Sequence, residues 1–131
     1  MTGQSGKGDT VVNRIHNRLS DLLASKRPPP WSERLVLTDE VQAVLICQGS
    51  GETSRRGYSP NFDEFWVVLG GEMVFEIEGQ EPFHATTGDV VFGPKGKTNF
   101  IRIVGDGPAL RLGIISPRVV FFDPETRRPF G

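Results

Sequence analysis

The first part of the chain holds one amphipathic segment, which follows a polar start. Residues 1–8 are small or polar, and we expect them to be disordered. Apolar residues then recur at intervals of three and four, which predicts a helix from about Thr10 to Ser25. The apolar face of this helix comprises Val12, Ile15, Leu19, Leu22 and Leu23. Because proline disfavours helix, "KRPPPW" ends it, and residues 9–30 form a helix and a proline linker.

From Trp31 onward the pattern changes to short apolar runs separated by turn clusters. The runs are "RLVLT", "VQAVLIC", "EFWVVL", "EMVFEIEG", "DVVFG", "NFIRIV", "ALRLGII" and "RVVFF". Within "EMVFEIE", Met73, Phe75 and Ile77 fall on one face and glutamates on the other. About eight strands without a long helix between them predict an all-β sandwich or barrel. This domain covers residues 31–131, including a C-terminal extension.

The composition favours a small single-domain protein over a nucleic-acid-binding or membrane protein. A chain of 131 residues should form one domain, and its net charge of -1 gives no bias toward nucleic acid. No run approaches the ~18 apolar residues of a membrane span. The start "MTGQSGKGDT" lacks the apolar stretch of a signal peptide, so none is expected. The lone cysteine, Cys47, fits a reducing cytoplasm, and we interpret it as a buried structural thiol.

Two glycine-containing motifs carry a resemblance to a known superfamily. In the first, six residues separate Glu64 from Gly71. The second begins at Gly88 and continues with Pro94, Gly96 and Asn99. This arrangement resembles the cupin superfamily, whose second motif has the form G-x5-P-x-G-x2-H. The resemblance implies an all-β cupin jelly-roll barrel, here with one N-terminal α-helix. Cupins often dimerise, and the apolar run at residues 119–122 suggests burial at a homodimer interface.

The metal-binding histidines of the cupin motifs are substituted in this chain. The first-motif positions hold Tyr58 and Pro60, or Gly57 and Ser59 if the spacing is one residue shorter. Asn99 stands at the histidine position of the second motif, while His16 and His84 lie outside both motifs. The resemblance therefore implies a degenerate metal site, and we expect no tightly held metal cofactor.

A narrower resemblance concerns the stretches "LLASKRPPP" and "RRGYS" before "DEFWVVLGGEM". They are similar to 3-hydroxyanthranilate 3,4-dioxygenase, a single-domain iron cupin. Arg55 and Tyr58 match its arginine and tyrosine, and Arg102 loosely matches a second arginine. In that family the arginines hold the substrate carboxylate, so the resemblance implies the same role for Arg55 and Arg102. Strict alternation from Asn99, however, directs Arg102 outward unless a bulge intervenes.

These residues lead to one preferred hypothesis about function. The barrel is expected to bind a small polar or carboxylated molecule, and Glu64 with Tyr58 would perform any metal-independent acid–base catalysis. The other predicted ligand-binding residues are Arg55, Asn99, Arg102 and Trp66. Trp66 has a second interpretation, as a core residue.

Two alternatives stay open at this point. One is a ring-cleaving dioxygenase of the 3-hydroxyanthranilate type, in which Fe²⁺ or another divalent metal is held weakly by Glu64, Tyr58 and His84. The other is a non-catalytic structural or interaction dimer whose pocket is filled by side chains. The partners expected are a small-molecule ligand and a second copy of the chain, without nucleic acid or membrane.

Overall fold

The structure is a computed structural model, and it describes residues 11–25 and 27–130. A short helix α1 (Leu19–Leu22) continues into a 3-10 turn (Leu23–Ser25). The strands are β1 (Trp31–Leu37), β2 (Gln42–Gln48), β3 (Glu64–Gly70), β4 (Glu72–Ile77), β5 (Phe83–Thr86), β6 (Val90–Gly93), β7 (Asn99–Val104), β8 (Ala109–Ile115), β9 (Phe121–Phe122) and β10 (Pro129–Phe130). The all-β class predicted from the sequence is confirmed.

The strands form two main sheets and a small C-terminal hairpin. The five-stranded sheet has the order β1-β2-β8-β3-β6, and the three-stranded sheet has the order β5-β4-β7. Strands β9 and β10 pair with each other, and every pair of strands is antiparallel. The main core combines buried side chains of both sheets: Trp66, Val68, Met73, Phe75, Ile77, Ala85, Val91, Ile101, Ile103 and Ala109.

Alternation along β4 shows how the sequence builds this core. Met73, Phe75 and Ile77 are buried, as predicted. Met73 lies opposite Ile103 of β7, and Phe75 lies opposite Ile101. Since successive side chains of a strand point to opposite faces, the glutamates of β4 take the outer face. Burial of this apolar face is the main driving force for pairing β4 with its neighbours.

Each of the eight predicted apolar runs contains a strand, but the sequence analysis missed two short ones. Strand β5 is four residues long, and its alternation is weak because only Ala85 is buried. Strand β10 has two residues and pairs with β9. The run "RVVFF" contributes only Phe121–Phe122 to a strand. Each of these strands pairs with the strand next to it in the sequence, but both are too short for alternation to identify them.

The helix predicted from Thr10 to Ser25 is wrong over residues 11–18. Asn13 has a φ of 63°, and its side chain exchanges two hydrogen bonds of 2.8 Å with the backbone of Leu37. The backbone N–H of Asn13 also donates to the Leu35 carbonyl at 2.9 Å. These bonds hold the segment beside β1 in place of a helix, and Ile15 is exposed. Thr10 and residues 1–8 lie outside the described residues. Within the described part of the chain, no helix is long and apolar enough to cross a membrane.

The remaining part of the predicted apolar face covers the outside of the five-stranded sheet. Leu45, Cys47 and Leu110 are buried there. Six partly buried side chains pack over them: Leu19, Leu22, Leu23, Trp31, Leu35 and Leu69. Burial raises the pKa of the Cys47 thiol, and the nearby Glu52 carboxylate acts in the same direction. Cys47 is therefore a buried thiol, as predicted, and its environment disfavours the reactive thiolate.

Candidate functional site

A cavity of about 190 Å³ lies at the interior face of the two sheets. Its lining combines apolar walls with a few polar and charged groups: Ile46, Ser54, Arg55, Gly57, Glu64, Trp66, Asn99, Ile101, Arg111, Phe121 and Phe130. This mixture is typical of small-molecule binding sites, where apolar walls supply contact area and a few polar groups fix orientation.

Strand alternation and register bring two opposite charges into this cavity. Glu64 begins β3 and shares a face with Trp66 and Val68. Arg111 lies on β8, directly opposite Val68 of β3 and Ile46 of β2. The acid and the guanidinium therefore approach the cavity from neighbouring strands.

Glycine makes room for the side chains of β3. Gly113 lies opposite Trp66, and a Cβ there would come within 3.3 Å of the indole and 3.7 Å of Glu64 Oε2. A Cβ at Gly93 would come within 2.7 Å of the same indole. The small residues on β6 and β8 thus allow Trp66 to lie flat on the sheet, with Glu64 beside it.

Arg111 is deeply buried and only partly satisfied. Its Nη1 donates to Gln48 Oε1 at 2.7 Å, and Gln48 Nε2 donates in turn to the Thr53 carbonyl at 3.1 Å. Its Nε is buried without a hydrogen-bond partner among the described residues. Burial lowers the pKa of Arg111 to about 10, and the attraction of Glu64 opposes that effect. The side chain therefore stays cationic at neutral pH with donor capacity unused.

The carboxyl group of Glu64 has a pKa close to neutral pH. Burial raises its pKa to about 7, and the charge of Arg111 offsets part of this effect. In the described part of the chain, no N–O distance of 4.0 Å or less joins Glu64 to Arg111. The two charges attract each other across the cavity but are not neutralised by contact. A small polar group placed between them could interact with both.

Three other residues predicted for the site line the same cavity. The guanidinium of Arg55 stacks on Phe130, with its Cζ 3.8 Å from the ring centroid. Asn99 begins β7 and exchanges backbone hydrogen bonds with Gly57. Trp66 is buried, with its ring centroid 5.3 Å from that of Phe75. Trp66 thus serves both the core and the cavity wall.

The structure does not bring Tyr58 into this cavity. Gly57 lines the cavity, and neighbouring residues of an extended segment point to opposite sides, so Tyr58 is directed away. Its ring stacks on Phe122 at 5.8 Å between centroids, and Arg127 lies 5.3 Å from its centroid. Tyr58 and Glu64 therefore do not line the same cavity, and their role as catalytic partners stays a prediction.

Arg102 is also separated from the cavity. It lies opposite Val74 on the outer face of the three-stranded sheet, and its Nη1 is 4.0 Å from Glu76 Oε2. Ile101 and Ile103 take the inward positions on either side of it. No bulge intervenes in the pairing of β7 with β4, so the outward direction that strict alternation implied is the one observed. Arg111, and not Arg102, lines this cavity.

Sequence reasoning missed Arg111, although a signal was present. In "ALRLGII" a single charge interrupts an otherwise apolar strand. Burying a charge without a partner is costly, so such a residue on a central strand indicates a buried counter-charge or a ligand. Phe121 and Phe130 could not be found in this way, because they reach the cavity only when the C-terminal hairpin folds back.

The donor set of the cavity does not fit a divalent metal ion. It offers one carboxylate, Glu64, with neutral oxygen donors and two guanidinium groups. A buried guanidinium repels a cation, and divalent metals need more carboxylate, imidazole or thiolate ligands. The described residues contain no group of three His, Cys, Asp or Glu side chains suited to a metal. His84, the displaced ligand of the iron alternative, lies on β5 with its Nδ1 3.6 Å from Glu72 Oε2.

Comparison with solved structures identifies the architecture. An uncharacterized conserved protein with a double-stranded β-helix domain from Klebsiella pneumoniae superposes with a TM-score of 0.70. The two share 19% identity, and the match covers 83% of this chain and 89% of that one. A cupin family protein with a double-stranded β-helix fold from Methanocaldococcus jannaschii gives a TM-score of 0.60 at 26% identity, covering 68% of this chain and 81% of that one. The fold is that of the cupins.

Comparison of sequences gives less information about this chain than comparison of structures. No protein-family model matches the chain. An uncharacterized protein of Methanocaldococcus jannaschii is 34% identical over 62 residues, which are 47% of this chain and 53% of that protein. The chain thus spans about half the length of this curated relative. The narrower resemblance to 3-hydroxyanthranilate 3,4-dioxygenase stays a prediction.

Within the cupin fold, the glycines of the two motifs have the conformations expected of them. Gly71 turns β3 into β4 with a φ of 70°, and a Cβ there would come within 2.7 Å of the Pro108 carbonyl oxygen. Gly88 precedes β6 with a φ of 96°. Both values favour glycine. The glycines of the two motifs therefore form the turns that the cupin strands need. The side chains between the motifs, however, differ from the histidines of the cupin motifs.

Proposed function

We propose that the cavity binds a small molecule bearing one carboxylate, which Arg111 holds beside Glu64. The observation that carries this proposal is a buried guanidinium with unused donors that attracts Glu64 without forming an ion pair with it. Besides Nε, the second terminal nitrogen of Arg111 makes no hydrogen bond with the described residues. A ligand carboxylate would accept these donors and compensate the buried charge.

The size and walls of the cavity support a compact ligand. An apolar cavity of about 150 Å³ admits benzene, so a cavity of about 190 Å³ suits a ring or short chain with one polar head. Ile46, Trp66 and Phe121 supply apolar wall. Asn99 and Ser54 add neutral hydrogen-bonding groups. Small aromatic or short aliphatic acids meet these requirements.

Glu64 gives the cavity a group that can exchange a proton with the ligand. An acid with a pKa of about 7 is partly protonated at neutral pH and can act as a general acid or base. If the protein is an enzyme, isomerisation, cyclisation or hydrolysis of the bound acid would suit this group. Tyr58 lies outside the cavity, so the second proton carrier in such a reaction would be water.

The alternative of a purely structural dimer predicts an interior filled by side chains. A cavity of about 190 Å³ with two charged groups in its lining does not favour that alternative.

Binding of three acids would test the proposal. Acetate, butyrate and benzoate would be titrated at pH 6 by calorimetry, with thermal shift as a second readout. We expect at least one of them to bind. Arg111→Met should raise its Kd at least tenfold, because a charge-assisted hydrogen bond is lost.

The control is Arg102→Met, the same substitution at an outward-facing arginine, which should leave the affinity unchanged. Circular dichroism would verify that both variants are folded. Failure of all three acids to bind the wild-type protein would contradict the proposed function.

A further inference from the structure

The cavity holds one buried cation and one acid, and a carboxylate ligand would add a second acid. Resting on the proposed function, we infer that the ligand binds as its anion only when Glu64 is protonated, so that binding takes up one proton from solution. The ligand class is therefore a monoanionic acid, and its affinity depends on pH through one side chain.

The charged groups that face the cavity can be counted. Arg111 comes from β8, Glu64 from β3 and Arg55 from the segment before β3. The other lining residues come from β2, β3, β7, the hairpin β9–β10 and the segment before β3, and they carry no charged side chain. Arg55 is exposed, stacks on Phe130 and interacts with the Asp123 carboxylate. Arg111 is thus the one buried cation among the described lining residues, and it can compensate one buried anion.

A ligand acid and Glu64 would share one small cavity. Glu64 and Arg111 both line this cavity of about 190 Å³ and already attract each other, so a carboxylate held on Arg111 would also interact with Glu64. Two ionised carboxylates in one such cavity repel each other, and burial already disfavours ionisation of Glu64. Protonation of Glu64 removes the repulsion and supplies an O–H that can donate to the ligand.

The direction of the pH effect follows from the pKa of Glu64. Burial already raises the pKa of Glu64 to about 7, and a bound anion raises it further. Below about pH 6 Glu64 is mostly protonated, so binding takes up few protons. Above about pH 8 it is mostly ionised, so each binding event takes up close to one proton and affinity falls about tenfold per pH unit. Arg111, with a pKa of about 10, stays charged over this range.

Calorimetry with benzoate would measure this linkage directly. Titrations from pH 5.5 to 8.5, in buffers of different ionisation enthalpy, give the number of protons taken up. We expect this number to rise from near zero to near one. In Glu64→Gln the amide imitates the protonated acid, so uptake should vanish. This variant should bind benzoate about thirtyfold more tightly than wild type at pH 8.5.

Each outcome bears on the inference. Benzoate binding with constant affinity and no proton uptake would overturn it and leave the proposed function intact. An unchanged pH dependence in Glu64→Gln would assign the proton to another group and also overturn it. Failure of acetate, butyrate and benzoate to bind at pH 5.5 would overturn both. If Glu64→Gln does not fold, proton uptake by the wild-type protein across the same pH range decides.

Discussion

Glu64 and Arg111 are a costly pair of residues for a small barrel to retain. Arg111 is buried and Glu64 is half-buried, so keeping both charges away from water is unfavourable, and neither is neutralised by direct contact with the other. Two apolar residues of similar volume would give a more stable core. The pair is therefore better explained by a ligand that contacts it than by its contribution to folding.

Glu64 should make the stability of the fold depend on pH. Its pKa is raised from 4.5 to about 7, so the folded state binds more protons than the unfolded state between these values. Stability supplied by this group is present at low pH and is lost as pH rises, by about 3 kcal/mol in total. Urea unfolding of wild type and Glu64→Gln at pH 5, 6, 7 and 8 would measure the difference between them. We expect wild type to lose stability relative to the variant across this range; a constant difference would refute the prediction.

Gln48 should act as a positioning residue for Arg111. Its side chain accepts from Arg111 Nη1 and donates to the Thr53 carbonyl, which fixes the guanidinium at the cavity wall. Gln48→Ala should weaken benzoate binding by about threefold to tenfold and cost about 1–2 kcal/mol of stability. Gln42→Ala on the same strand removes an amide that bonds only the Ser116 carbonyl, and it should change stability without changing affinity. Equal affinity losses in the two variants would argue against positioning.

The sequence indicated Glu64 more directly than Arg111, for a physical reason. Glu64 belongs to a glycine-framed motif whose spacing could be compared with a known family. Arg111 takes part in no motif, and its importance depends on the register that places β8 beside β3. Gly57 and not Tyr58 lines the cavity, because a shift of one residue in an extended segment reverses the side that a residue faces.

At the scale of elements, strong alternation was the reliable signal. Strands β4 and β7 could be predicted together with their inward faces, because one face of each is apolar. The prediction of a helix from Thr10 to Ser25 was wrong over residues 11–18. An isolated helix of this length is only marginally stable without tertiary support. The side chain of Asn13 offers the backbone of β1 a competing set of hydrogen bonds that no helical pattern could reveal.

The C-terminal hairpin β9–β10 should control access to the cavity. Phe121 and Phe130 line the cavity, and a Cβ at Gly57 would collide with the Phe130 ring. Gly57→Ala should displace Phe130 and weaken benzoate binding by about threefold to tenfold, since an apolar wall is lost. Phe130→Ala should act in the same direction.

The matched control is Gly49→Ala, where an added Cβ meets its nearest neighbour at 3.4 Å and lies outside the cavity lining. Calorimetry and thermal unfolding would be measured on all three variants. Wild-type affinity in both Gly57→Ala and Phe130→Ala would show that the hairpin does not shape the site.

At the scale of the whole molecule, the outer face of the five-stranded sheet is only half covered. The N-terminal segment packs over Leu45 and Leu110, whereas Phe65, Val90 and Phe92 remain exposed on β3 and β6. Phe65 lies opposite Phe92, so these side chains form one continuous apolar surface at the edge of the sheet. The homodimer predicted from the sequence was tied to residues 119–122, but Phe121 and Phe122 belong to the hairpin beside the cavity.

We therefore expect the homodimer to form through the surface of Phe65, Val90 and Phe92. Among the described strands β6 pairs with β3 alone, so its outer edge and apolar face can meet the same surface of a second copy about a two-fold axis. Val90→Lys should convert the dimer to a monomer, because it places a charge in the interface. Val120→Lys introduces the same charge at another exposed valine and should leave the dimer intact. Sedimentation velocity at protein concentrations from about 1 to about 50 µM, which span a micromolar dissociation constant, would measure whether the protein is a dimer. A monomeric wild-type protein would refute the homodimer. If Val90→Lys remains a dimer and Val120→Lys becomes a monomer, the interface would instead lie at residues 119–122.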